Sequence, residues 1–79
     1  MNVRLKLIAT YIKLLPAGTI GNTLDIEIDH GTTVADLISR FKVPQDDSSV
    51  IVVNGFSVPL DTALSEGDTV TAFSAIAGG

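Results

Sequence analysis

Val50-Ile51-Val52-Val53-Asn54-Gly55-Phe56-Ser57-Val58-Pro59 is the stretch that decides the fold class. Four consecutive β-branched residues read as a strand covered on both faces, since an uninterrupted apolar run has no side left for water. Asn54-Gly55 follows without a spacer. A type I′ turn needs positive φ at both central residues, and Asn-Gly supplies it at low steric cost. The stretch therefore predicts a hairpin, with Phe56-Ser57-Val58 as a short return strand that Pro59 ends.

Working outward toward the C-terminus, Leu60 to Glu66 reads as turn-like, with Leu60 and Leu64 as core anchors. Gly67-Asp68 then turns the chain into a last strand from Thr69 to about Ser74. If Val70 and Ala72 face the core, Phe73 points outward with Thr69 and Thr71. A bulge at the strand end would instead turn Phe73 inward. Phe56 carries the same ambiguity.

Toward the N-terminus, Val34, Leu37, Ile38 and Phe41 fall at i, i+3, i+4 and i+7, which predicts a helix over 34–42. Thr33 is its expected N-cap and Asp36 closes a capping box. Arg40 and Lys42 suit the negative end of the helix dipole, and Pro44 stops it. Earlier still, Val3, Leu5 and Leu7 alternate with Arg4 and Lys6, predicting a half-buried strand over 2–9. Leu24, Ile26 and Ile28 alternate with Asp25, Glu27 and Asp29, predicting an antiparallel partner with opposite charges across the pair. The long connection between them, Thr10 to Asn22, carries one helical turn at Tyr11, Leu14 and Leu15 before Pro16, Gly18 and Gly21 break it. Strands around one helix make an α+β domain over 1–74, a β-grasp arrangement: a mixed sheet with one main helix packed on one face.

Composition narrows what the domain can do. A chain of 79 residues supports one core and no second domain. The absence of cysteine removes disulfides, thiolate metal sites and a cysteine nucleophile. A net charge of −4, with five scattered basic residues, disfavours a nucleic-acid partner. No apolar run is long enough to span a bilayer, and Arg4 and Lys6 interrupt the region where a signal peptide would lie. The expected location is the cytoplasm. His30, the single histidine, reads as a solvated turn residue without a partner for nucleophilic chemistry. Asp46-Asp47-Ser48-Ser49 lacks the spacing of a metal loop, and Gly18 and Gly21 do not form a phosphate cradle.

The C-terminus reads differently. Ala75-Ile76-Ala77-Gly78-Gly79 tapers from apolar to side-chain-free residues. Glycine enters clefts too narrow for a Cβ, so residues 75–79 are expected to form a flexible tail that delivers a carboxylate into another protein. An outward Phe73 beside that tail is a partner anchor.

Taken in order, Val3-Arg4-Leu5-Lys6-Leu7, Thr33-Val34-Ala35-Asp36-Leu37, Val53-Asn54-Gly55, Leu60-Asp61, Ala63-Leu64, Glu66-Gly67-Asp68-Thr69-Val70 and Ile76-Ala77-Gly78-Gly79 resemble the ubiquitin-like sulfur carriers. That family includes the small subunit of molybdopterin synthase and the thiamine sulfur carrier. The resemblance implies that an E1-like enzyme adenylates the Gly79 carboxylate with ATP and magnesium. A persulfide donor then converts it to a thiocarboxylate. Gly78 and Gly79 would carry the chemistry, while Phe56, Phe73, Ala75, Ile76 and Ala77 would touch partners. The chain itself would bind no cofactor. Its length and its long first connection favour the molybdopterin type, whose sulfur acceptor is the synthase large subunit. Ser74-Ala75 departs from the proline common after the Phe73 position in that type. Other readings are a thiamine-type carrier, a protein modifier joined to lysine through Gly79, and a non-covalent interaction module.

Overall fold

The computed structural model describes residues 1–76. Four strands form one mixed sheet in the order β2-β1-β4-β3. Strand β1 (Asn2–Leu7) pairs antiparallel with β2 (Thr23–Glu27) and parallel with β4 (Thr69–Ser74), which pairs antiparallel with β3 (Ser49–Val53). The helix α1 (Val34–Ser39) contributes Val34, Leu37 and Ile38 to a core shared with Val3, Leu5, Leu7, Val70 and Ala72. This is the expected β-grasp arrangement.

The alternation in β1 works as read: Val3, Leu5 and Leu7 are buried while Arg4 is exposed. Arg4 stands opposite Asp25 and their side chains meet at 3.1 Å. Both are more than half exposed, so this pair contributes at most about 1 kcal/mol. Ala9 adopts a positive φ of 54° and ends the strand region. The predicted helical turn is a 3₁₀ segment, Ala9–Leu14, that buries Tyr11.

Thr33 and Asp36 form the full reciprocal capping box, with N–H to oxygen distances of 3.0 and 3.1 Å. The next two orphan donors of the helix, Val34 and Ala35, find carbonyls outside it, on Thr62 and Leu60. At the other end the helix is shorter than predicted. The N–H of Lys42 bonds Ser39 O and that of Val43 bonds Ile38 O, with Lys42 at φ 61°. This is a Schellman closure with lysine in the position glycine usually takes. It ends the turn before Pro44 is reached.

Two expectations for the 50–59 stretch need correction. Asn54 (φ 52°) and Gly55 (φ 85°) do make the two-residue turn, with Val53 and Phe56 exchanging both hydrogen bonds. The return strand, however, is a single bridge at Phe56. The chain beyond it is drawn to the helix N-terminus, where the Leu60 and Thr62 carbonyls are needed. Consequently β3 is an edge strand. Val53 is buried, but Val50, Ile51 and Val52 are only half-buried.

Candidate functional site

Phe73 is placed by register. Val70 and Ala72 are fully buried, and the β3–β4 ladder runs without a bulge from Val53↔Val70 to Ser49↔Ser74. Phe73 therefore lies on the outer face of the sheet, opposite Val50 and half-exposed. Val52 stands opposite Thr71 on the same face. Ile8 continues β1 beside them, its N–H donating to Ala72 O at 3.2 Å. Lys6 lies alongside Thr71. The outer face thus carries an apolar strip of Ile8, Val50, Val52 and Phe73 with one cation next to it. Reading the sequence as a strand buried on both faces hid Val50 and Val52. A β-branched run is equally the signature of an edge strand whose second face awaits a partner.

The strip ends where the chain leaves the sheet. Ala75 N–H donates to Ser48 O at 2.8 Å, and Ile76 N–H donates to Ser74 Oγ at 3.2 Å. Ala75 and Ile76 are exposed, Ile76 at 61% of its surface. The expectations placed on Ala77, Gly78 and Gly79 lie outside the described residues. Phe56 is 73% exposed at the tip of the Asn54-Gly55 turn. Because β3 begins at the tail end with Ser49 and reaches the turn after Val53, Phe56 lies at the far end of the sheet. Four residues of strand, about 13 Å, separate the two ends. The structure brings Phe73, Ala75 and Ile76 together and leaves Phe56 apart.

Asp46 lies two residues before Ser48, whose carbonyl holds Ala75. Its carboxylate accepts from both Ser48 Oγ and Ser48 N–H, and these two bonds hold its pKa below the usual carboxylate value. His30 is an exposed turn residue, as expected. Among the described residues no three acidic or histidine side chains gather where they could hold a metal ion. No described helix is long and apolar enough to cross a membrane. The arrangement can dock an apolar partner surface beside Phe73.

A family model described as the ThiS family matches residues 7–79. No curated protein matches the chain by sequence. Solved structures similar to this chain include three with a TM-score of 0.75 each. SAMP1 from Haloferax volcanii is 20% identical over 100% of both chains. A second structure, of H. volcanii small archaeal modifier protein 1, is 22% identical over 95% of this chain and 98% of that one. A Pyrococcus furiosus protein provisionally assigned as molybdopterin converting factor, subunit 1, is 29% identical over the same shares.

Proposed function

The chain belongs to the ThiS family of ubiquitin-like sulfur carriers, and from that premise we propose that it carries sulfur on the carboxylate of Gly79. The family match extending through residue 79 is the observation that carries the proposal. A carboxylate is a poor electrophile, so it needs a leaving group before sulfur can enter. An E1-like adenylating enzyme docks on the strip around Phe73. One Gly79 carboxylate oxygen attacks the α-phosphorus of ATP, with magnesium on the phosphates, and pyrophosphate departs. The terminal sulfur of a persulfide donor attacks the activated carbonyl and AMP leaves, giving an acyl disulfide. A second thiol then breaks its S–S bond, leaving a thiocarboxylate on Gly79 and a disulfide on the donor side.

The thiocarboxylate is the carried form. Its sulfur is a good nucleophile at neutral pH and is delivered to a precursor inside an acceptor enzyme. For this chain the proposed acceptor is the large subunit of molybdopterin synthase. The Pyrococcus neighbour, aligned over nearly all of both chains, and the long connection holding the 3₁₀ segment support that choice. Glycines at 78 and 79 suit a narrow entry channel. Ordering each tail residue costs about 1–2 kcal/mol, so threading the tail costs more than the half-exposed Phe73 returns on burial, about 1.5–3 kcal/mol at most, and the partner must add contacts to Ile76 and the domain surface.

The test is the intact mass of the protein after incubation with its activating enzyme, ATP, magnesium and a persulfide donor. A species with one oxygen replaced by sulfur is expected. A protein that stays at its starting mass, or that moves only into conjugates with other proteins, overturns the carrier assignment.

A further inference from the structure

The inner face of the sheet changes character where the tail begins. Along β3 the core-facing positions are Ser49, Ile51 and Val53, and along β4 they are Val70, Ala72 and Ser74. Serines thus replace apolar residues at the end from which the tail departs. They are met by a hydroxyl from a distant segment: Tyr11 Oη lies 2.6 Å from Ser49 Oγ and 3.4 Å from Ser48 O. Ser48 O is the acceptor for Ala75 N–H. Ser74 Oγ in turn holds Ile76, accepting from its N–H and donating to its carbonyl at 3.3 Å. The ring of Tyr11 is buried, which fixes its hydroxyl in place.

We infer that Tyr11 is a positioning residue for the reaction at Gly79. Its hydroxyl fixes Ser48 and Ser49, and so sets the point and direction from which the tail leaves β4. The inference rests on the carrier reading above. Its physical content is a matter of direction. The bond that Tyr11 supports is Ala75 N–H to Ser48 O, which ties the chain to the neighbouring strand as it leaves the sheet. With that support lost, only Ser74, within β4 itself, still holds Ile76, and the line along which the chain leaves is no longer fixed. A misdirected approach lowers the fraction of bound complexes in reactive geometry.

The experiment uses the full chain with Tyr11→Phe, which keeps the buried ring and removes only the hydroxyl. Ser49→Ala serves as a second variant that removes the other partner. Amide hydrogen exchange read by NMR needs no partner protein. Ala75 N–H is expected to exchange faster in both variants, by about fivefold for one weakened hydrogen bond, and to do so under conditions in which the core amides of Leu5 and Val70, which report global opening, stay protected. In steady-state adenylation with the activating enzyme and ATP, kcat is expected to fall about two- to fivefold with KM unchanged, because the Phe73 strip is intact. Phe73→Ala should give the opposite split. Unchanged exchange at Ala75, or an effect of Tyr11→Phe confined to KM, overturns the inference while leaving the carrier reading standing. A wild-type chain that is never adenylated sinks the carrier reading and the positioning role with it, even if Ala75 exchange responds.

Discussion

The start of β4 is held by side chains of the two turns beside it, and its end by its own Ser74 hydroxyl and by the Ser48 carbonyl, which the Tyr11 hydroxyl reaches from a distant segment. At the start, Asp68 Oδ1 accepts from Asn54 Nδ2 at 2.9 Å, Asp68 Oδ2 accepts from Ser65 N–H at 2.8 Å, and Asn54 Oδ1 accepts from Thr69 N–H at 2.9 Å. The Asn54-Gly55 turn and the Gly67-Asp68 turn are thereby locked to each other. At the end, Ser48 O accepts from Ala75 N–H, Ser74 Oγ accepts from Ile76 N–H, and the Tyr11 hydroxyl bonds Ser49 Oγ and Ser48 O. The first fastening closes the sheet. The second sits where, in our account, the functional tail begins. The difference teaches that stability and presentation are separable in this fold, and substitutions can be chosen to act on one end alone.

The largest expected effect is at the start. Asp68→Ala removes the acceptor for two donors, one from a side chain and one from the backbone, and should lower unfolding stability by about 2 kcal/mol in urea titration. Sulfur loading per folded molecule should stay at the wild-type level; a loss of loading would break the separation. Gly55→Ala comes next. Nothing lies within 4 Å of the added Cβ, so the cost is the positive φ of 85° alone, about 1–2 kcal/mol by the same assay. At the other end, Tyr11→Phe should cost only about 1 kcal/mol of stability, because the ring stays packed and one hydroxyl is lost.

Asp46 supplies the smallest and most specific test. Its pKa is lowered from 3.8 by the bonds from Ser48, so the folded state favours the carboxylate. A depressed folded-state pKa adds stability that is present above 3.8 and is lost as pH falls through the lower folded value. Wild type should therefore be more stable than Asp46→Asn at neutral pH, and the gap should close on acidification below 3.8. Unfolding midpoints measured across that range check it. A gap that is constant with pH would show that the Ser48 bonds do not depend on the charge.

This contrast also explains how much could be read from the sequence. The turn at Asn54-Gly55, the turn at Gly67-Asp68 and the Thr33–Asp36 box are local devices, each confined to a few adjacent residues, and all three stand as expected. The helix end was less legible because lysine, not glycine, occupies the left-handed position at 42. Val50 to Val53 was misread because continuous apolarity does not distinguish a strand covered by its own domain from an edge strand with an open face. The inward or outward choice for Phe73 needed the register opposite Val50. Tyr11 and Ser48 stand 37 positions apart, and nothing in their local sequence joins them.

The central claim is that the last carbonyl of the chain is the atom a second enzyme converts. Fragmentation of the intact loaded protein in a mass spectrometer tests it most directly. The account predicts that the added sulfur travels with the fragment containing Gly79 and with no fragment lacking it. Sulfur found on any other fragment, or a Gly79 carbonyl recovered only as an amide to a lysine, would contradict it.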